Sequence, residues 1–490
     1  MLGILNDLLW GKVLLVLLIA VGIGFTVASR FVQFRYFGRM FRILGAGEAF
    51  KRDAHGHLSS FQALVLSVAG RVGGGNIAGV AVAITLGGPG AVFWMWVVGL
   101  MGMATSFLEC TLAQTYKEAE GDGTYRGGPA YYIVKGLGQG WMWLAGLYSV
   151  LLLVTFGFGF TALQSYAVAT SFGDAFGVPV YYSGIGLAML VGLIIFGGIK
   201  RIARISEYLV PLMAGGYILT ALVVLGLNVD RIPEVVIMIV QGAFGLDPAI
   251  GGGIGAAIMM GVKRGLFSNE AGLGSAPNVA AVAYVPHPAN QGIVQAFSVF
   301  VDTVIICSVT AFVILLSGIY TPGTGAEVEG VALTQAALAD HVGEWGRDFV
   351  SVALLLFAFS TILYNYYLGE NSLNFFSRHN QNLFNVFRVA IIGLVCWGAT
   401  TDLGTVFGFA DVTMGLLAVV NLIGLIMLFR PGLRILHDFD AQIRDGAEQP
   451  VFDASNFPDM NIDPRSWELE PEDLVRTNTA AGAEAAHASE

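Results

Sequence analysis

SVAGRVGGGNIAGVAVAI, residues 67–84, lies within an apolar run over about 61–86 and carries Gly70, Gly73, Gly74, Gly75 and Gly79 near its middle. Glycine costs ~1 kcal/mol per helix position relative to alanine, so five in one stretch favour local unwinding. Small residues at four-residue spacing also let helices pack closely, and scattered pairs such as Gly215–Gly216 fit that alternative. The Gly73–Gly75 triplet does not. Consecutive residues point to all sides of a helix instead of along one contact stripe, and these adjoin Arg71 and Asn76. Unwound backbone at membrane depth is tolerable only where it is buried in protein or lines a polar cavity.

The rest of the chain supports a membrane setting. Of 490 residues, 55% are hydrophobic and only 12% charged, with a mean hydropathy of +0.70. A water-facing domain carries roughly 25% charged residues. Repeated apolar runs near the ~20 residues that cross the hydrocarbon predict about eleven transmembrane helices. They lie at approximately 9–33, 61–86, 90–116, 141–172, 180–199, 203–227, 246–275, 292–318, 347–371, 383–400 and 403–429. The first run ends at Arg30 and Arg35 instead of a small-residue cleavage site, so it is expected to be a retained span. The fold class predicted is therefore an all-α polytopic membrane protein.

Basic residues alternate between connections. Arg35, Arg39, Arg42, Lys51 and Arg52 follow the first span. Lys117, Arg126 and Lys135 come two connections later, then Lys200, Arg201 and Arg204, then Arg378 and Arg388, then Arg430 and Arg434. The intervening connections are nearly free of base, and 319–346 holds Glu327, Glu329, Asp340 and Glu344. Under the positive-inside rule the N-terminus is expected outside and the C-terminus in the cytoplasm. The net charge of −10 is concentrated in a few hydrophilic stretches, above all the tail 437–490, which reads as acidic, solvated and mostly disordered. No basic patch with interleaved aromatics points to nucleic acid. Cys110, Cys307 and Cys396 fall inside apolar runs without metal spacing and read as packing residues.

A second glycine cluster, Gly251, Gly252, Gly253 and Gly255 followed by Gly261 and Gly265, lies in the seventh span. The second and seventh spans are five apart and so cross in opposite directions. An inverted repeat of five helices has this property, and interrupted helices at matching places in two inverted halves point to a mid-membrane solute site. The division expected is an extra N-terminal helix and basic loop over 1–60, a first repeat over 61–227, a second over 228–436, and the tail. Half-helix amino ends attract anionic groups, while freed carbonyls attract cations. An amino-acid zwitterion with a sodium ion suits such a pair of breaks.

Several stretches resemble the alanine or glycine:cation symporter family. They are RVGGGNIAGVAVAI at 71–84, RGLFSNEAGLGSAP at 264–277, AFSTILYNYYLGENS at 358–372, GTYRGGPAYYI at 123–133 and FVDTVIICSVTA at 300–311. The likeness runs from the first span to Arg434. It implies a leucine-transporter type fold, sodium as coupling ion, no covalent cofactor, and import of a small neutral amino acid across a prokaryotic inner membrane. It further implies a sodium site made by the carbonyls of Ala69, Val72 and Phe357 with the hydroxyls of Ser360 and Thr361. The solute carboxylate is expected at the amides of Gly73, Gly74, Gly75 and Asn76. Its ammonium is expected at the seventh span's break, placed within Gly255–Gly261 and so near Ile258 and Met259. Phe156, Phe158 and Gln164, with Thr361 and Asn365, are the remaining expected lining. Many members have Gly-Trp where this chain has Tyr364-Asn365, which enlarges the cavity and adds an amide. Serine and glutamine therefore stand beside alanine and glycine as candidates.

Intramembrane acids need a partner or a purpose. Asp302, midway along the eighth span and followed by Thr303, is a candidate second cation or proton site. Glu109, Glu207 and Glu370 lie near basic ends and are expected to pair with Lys117, Arg204 or Arg378, and Glu270 with Arg264. Proton coupling through Asp302 is the alternative of the same fold. A membrane enzyme would need a convergent catalytic set, and the seven histidines form no HExxH or similar grouping. A channel would need a charged ring or carbonyl filter, and neither is visible.

Overall fold

The computed structural model describes residues 2–45, 58–120, 124–245, 253–321, 330–378 and 380–467. Among them, eight helices are long and apolar enough to cross a bilayer, or nine when one bent pair counts as a single span. In chain order the helices are α1 (Gly3–Ala28), α2 (Phe37–Gly45), α3 (Ser60–Arg71), α4 (Gly75–Gly87), α5 (Gly90–Thr115), α6 (Pro129–Leu137), α7 (Gln139–Phe176), α8 (Val180–Ile195) and α9 (Gly198–Leu227). There follow α10 (Ile232–Ala243), α11 (Ile254–Asn269), α12 (Ser275–Ala280), α13 (Pro288–Leu316), α14 (Val331–Val342), α15 (Trp345–Phe376), α16 (Gln381–Gly398), α17 (Leu403–Met427) and α18 (Phe429–Arg444). With the shorter α8 and the α11–α12 stretch, this agrees with the expected span count. Lys51, Arg52, Gly251, Gly252, Glu327 and Glu329 lie outside the described residues.

Helices α3, α5, α7, α11, α13 and α15 carry the buried centre, while α8, α9 and α16 expose Met189, Leu193, Leu212, Leu219 and Val389. That outward apolar surface is what a lipid-facing helix requires. Among the described residues four stretches wind more loosely, as π-helical turns: Leu9–Leu14, Gly75–Gly79, Leu153–Phe160 and Phe300–Ile306. Such turns are frequent at functional sites. The last three each contain an expected site residue, respectively Asn76, Phe156 and Asp302, and the first does not.

The first helix is pinned by hydrogen bonds to a charged cluster. Asp411 on α17 takes Lys263 Nζ at 2.7 Å and Arg264 Nη2 at 3.0 Å. Lys263 also reaches Asn6 Oδ1, and Trp10 Nε1 donates to the Asp411 carbonyl. Arg264 is thus Asp411's partner, not Glu270's.

The two ends of the bundle differ. One carries the 173–179 and 343–344 connections. The other carries the 116–120, 124–128 and 281–287 segments together with α18 and residues 445–467. Those last residues depart from the solvated tail expected of them: Phe452, Phe457 and Trp467 are buried with Ala63, Ala283, Val285 and Ile435. Average composition had hidden three aromatic anchors among acids and prolines. Residues 468–490 are not described.

Candidate functional site

The first interrupted stretch is broken in the structure. Helix α3 ends at Arg71, α4 begins at Gly75, and the two are bent by 50°. Val72 adopts an extended backbone (φ −79°, ψ 95°). Gly73 N–H, the ordinary helical partner of Ala69 O, turns instead to Asn76 Oδ1 at 2.9 Å. The last carbonyls of α3 are thereby freed, where a helix presents partial negative charge. Gly73 cannot carry a side chain here, since a Cβ would lie 2.6 Å from Thr361 Oγ1.

Onto those carbonyls α15 brings two hydroxyls. Thr361 Oγ1 lies 2.9 Å from Ala69 O, 3.4 Å from Val72 O and 2.9 Å from Phe357 O. Ser360 Oγ lies 3.4 Å from Ala69 O and 2.9 Å from Phe357 O. The back-bond to their own turn, the ordinary role of such hydroxyls, is therefore present too. It does not account for the cluster. Five oxygens converge with only two hydroxyl hydrogens among them, an excess of negative ends that a hard cation would neutralise.

The solute side adjoins this cluster. Gly74 N–H donates to Gln164 Oε1 at 2.9 Å. The amide edge expected to meet a carboxylate thus holds side-chain oxygens of Asn76 and Gln164. A cavity of about 150 Å³ begins at Gly74, Ala78 and Leu163, passes Phe407, and extends to Asp174, Gly330 and Gln335 at the end opposite residues 445–467. It is smaller than the ~300–1,000 Å³ of sites for drug-sized ligands and suits a solute of few heavy atoms. Asn365, one turn beyond Thr361 on the same face of α15, is fully buried, and neither end of its amide has a hydrogen-bond partner among the described residues. Phe156 is buried in an aromatic chain that runs from Tyr364 through Phe160 and Phe267 to Phe407. Phe158 is 37% exposed and faces outward, so it does not line the site.

The second break lies elsewhere than expected. Helix α11 is continuous from Ile254 to Asn269. Ile258 and Met259 are half-buried along its first half and adjoin no break. The interruption comes at Glu270–Gly274, where Glu270 (φ 56°), Gly272 (φ 93°) and Gly274 (φ 80°) turn left-handed. Left-handed backbone at a non-glycine residue is costly and is held only by its surroundings. Here Glu270 accepts from Ser275 Oγ at 2.6 Å and Tyr364 OH at 3.1 Å. Glu109 accepts from Gly272 N and Asn421 Nδ2. The Gly272 and Gly274 carbonyls are taken by Asn421 and Tyr148. Gly261, read as part of a break, is a packing glycine: a Cβ would lie 2.5 Å from the Ala91 carbonyl oxygen.

One polar knot joins the breaks. Asn76 Nδ2 donates to Asp302 Oδ1 at 2.7 Å and to Ser268 Oγ at 3.0 Å. Ser268 Oγ and Thr303 Oγ1 each donate to Asp302 Oδ2 at 2.8 Å. Asp302 is fully buried and has no ion-pair partner among the described residues. Arg71, also buried, acts electrostatically on Glu109, Glu270 and Asp302 yet touches none of them. Its contacts are Ser298 Oγ, the Gln295 carbonyl and Ser106 Oγ. Glu370 pairs with Arg388 at 3.5 Å and Arg126 at 3.8 Å, while Arg378 pairs with Glu118.

The structure thus gathers Ala69, Val72, Gly73, Gly74, Asn76, Gln164, Phe357, Ser360 and Thr361 around one break, with Asn365 one turn further along α15. It links Asp302 and Thr303 to the same region and leaves Phe158, Ile258 and Met259 apart. Gly75 instead packs against Phe267. Ser268 and Phe407 went unnoticed in the sequence. Ser268 had a signal, a polar residue directly before the turn in an apolar span, whereas Phe407 had none.

The sequence profile of the sodium:alanine symporter family matches residues 1–454. The amino-acid carrier protein AlsT of Bacillus subtilis (strain 168) is 45% identical over 473 residues, covering 96% of this chain and 98% of that one. The probable sodium/glutamine symporter GlnT of the same organism is 46% identical over 451 residues, covering 92% of each. A sodium/proton-dependent alanine carrier protein of Bacillus sp. (strain PS3) is 36% identical over 432 residues, covering 85% and 95%. Among solved structures, MhsT in complex with L-phenylalanine superposes with a TM-score of 0.53 at 14% identity, over 74% of this chain and 87% of that one. The fold is of the leucine-transporter type.

Proposed function

The chain belongs to the sodium:alanine symporter family, and from that premise we propose that it imports a small neutral amino acid together with sodium by alternating access. It is a multi-pass membrane transporter and not an enzyme. The observation that carries the coupling ion is the convergence of five neutral oxygens at Ala69, Val72, Phe357, Ser360 and Thr361, with two hydroxyl hydrogens among them and the Ala69 carbonyl released from its helical partner Gly73 N–H. A sodium ion there would tie α15 to the end of α3. That link would hold the half-helices in the arrangement that receives the solute, so the two bind cooperatively.

The solute's carboxylate would displace Gln164 Oε1 from the Gly74 amide, and its side chain would face Asn365. A buried amide without partners discriminates strongly between solutes that can hydrogen-bond to it and those that cannot. Serine and glutamine are therefore tested beside alanine and glycine. The basic connections would face the cytoplasm of a prokaryotic cell whose inner membrane holds the carrier, with the N-terminus outside. The five-helix halves 61–227 and 228–436 would be the units that rock, preceded by the extra helix and loop over 1–60.

Uptake of labelled alanine, glycine, serine and glutamine into proteoliposomes under a sodium gradient tests this reading. Sodium-driven accumulation is expected, and Asn365→Ala is expected to cost a polar solute about tenfold more than alanine, the ~1–1.5 kcal/mol of one hydrogen bond. Equal uptake without sodium would refute the coupling. A second reading, proton coupling, rests on Asp302, a buried carboxylate held by neutral donors alone. It requires uptake driven by a proton gradient in sodium-free medium and its loss in Asp302→Asn.

A further inference from the structure

Residues 445–467 cross the end of the bundle opposite the cavity and fasten three separate elements there. Phe452 N–H donates to the Pro286 carbonyl at 2.9 Å, which ties the segment to the 281–287 connection. Ser466 Oγ donates to the Lys117 carbonyl at 3.3 Å, and Ala119 N–H donates to Asp463 Oδ2 at 3.3 Å, which ties it to the connection after α5. Phe457 stacks on Phe452, Trp467 meets the Phe452 ring edge-on, and the three are buried together with Ala63, in the first turn of α3. That turn is itself held by the same connection, since Tyr284 N–H donates to the Leu58 carbonyl at 2.9 Å.

Lys117 sits beneath this cover. It is fully buried, its Nζ 4.4 Å from the Trp467 ring and 4.1 Å from the Tyr125 ring, with the Ala283 carbonyl at 3.1 Å. No carboxylate pairs with it among the described residues, and burial pushes its ammonium down to about 7. A lone buried ammonium is costly, so the site gains from hydration as soon as the cover lifts. The cover is therefore poised: burial of its rings favours closure, and the desolvated amine opposes it.

We propose that residues 445–467 form a latch that clamps the foot of α3 shut and so favours the conformation open at the other end. It rests on the reading of α3 as a half-helix that swings during transport. A carrier whose receiving conformation is only fractionally populated binds its solute more weakly by that fraction. The latch would thus set how tightly the carrier holds solute from the cavity side.

The test uses the full chain in proteoliposomes with Ser67→Cys as reporter, one turn inward from Ala63 on the same face and with no hydrogen-bond partner among the described residues. Alkylation by a maleimide is read at that residue by mass spectrometry, with and without sodium plus alanine. Trp467→Ala, and separately truncation after Gln449, are expected to speed alkylation at least tenfold. Trp467→Phe and truncation after Trp467 are expected to keep the parent rate. Lys117→Met, which removes the buried charge at similar length, is expected to slow it. If the parent responds to sodium plus alanine while Trp467→Ala and the Gln449 truncation both react at its rate, the latch is wrong and the transport reading stands. If even the parent is indifferent to sodium plus alanine, both fall.

Discussion

Thr361 does more than any other side chain at the site. Its one hydroxyl hydrogen faces three carbonyl oxygens, so at any moment two of them lack it. In Thr361→Ala the cluster loses an oxygen from its centre, and apparent sodium affinity is expected to fall by about tenfold or more, ~1.4 kcal/mol. Thr361→Ser should restore most of it, and sodium-dependent uptake across a range of concentrations checks both. The five oxygens were expected through the likeness of 71–84 and 358–372 to the symporter family, since composition and spacing alone single out no such set. Phe158, Ile258 and Met259 could not be sorted in the same way. Lipid and protein interior are equally apolar, so an aromatic or aliphatic residue on a spanning helix carries no mark of the side it faces.

At the scale of elements, the break after Arg71 depends on Gly73. A methyl group there meets Thr361 Oγ1, so Gly73→Ala is expected to abolish uptake while leaving yield and detergent-extracted thermal stability within a few degrees of the parent. A large fall in both would mean that the residue serves folding and not the site. The second break was misplaced because glycine has two uses. Gly261 allows α11 to approach α5, whereas the turn itself is made at Glu270–Gly274 by left-handed backbone held in a shell of side chains. Counting glycines cannot separate a close crossing from an unwound turn. The polar letters SNE before the turn were the better signal.

For the molecule as a whole, the charged triad at Asp411 joins α1, α11 and α17 across nearly the full length of the chain. Removing one partner of a buried pair leaves uncompensated charge and typically costs about 3–5 kcal/mol. Asp411→Asn strands Lys263 and Arg264 together. It is expected to lower the thermal midpoint in detergent far more than Asp440→Asn, whose pair with Arg35 is partly exposed. Equal shifts would show that the triad is not what fastens the first helix. Helical class and span count were legible because membrane thickness fixes the length of each crossing. The cover formed by residues 445–467 was not, because its closure depends on three rings placed far apart in an acidic stretch.

Asn76 has a consequence for leakage. Its carbonyl caps Gly73 while its amino group holds Asp302 and Ser268, so both ends of one planar amide are engaged. A planar group turns as a unit, and neither bond can slacken without the other. On the proposed mechanism, an ion arriving alone would have no partial loosening to exploit, and slippage without cargo would be opposed at the break itself.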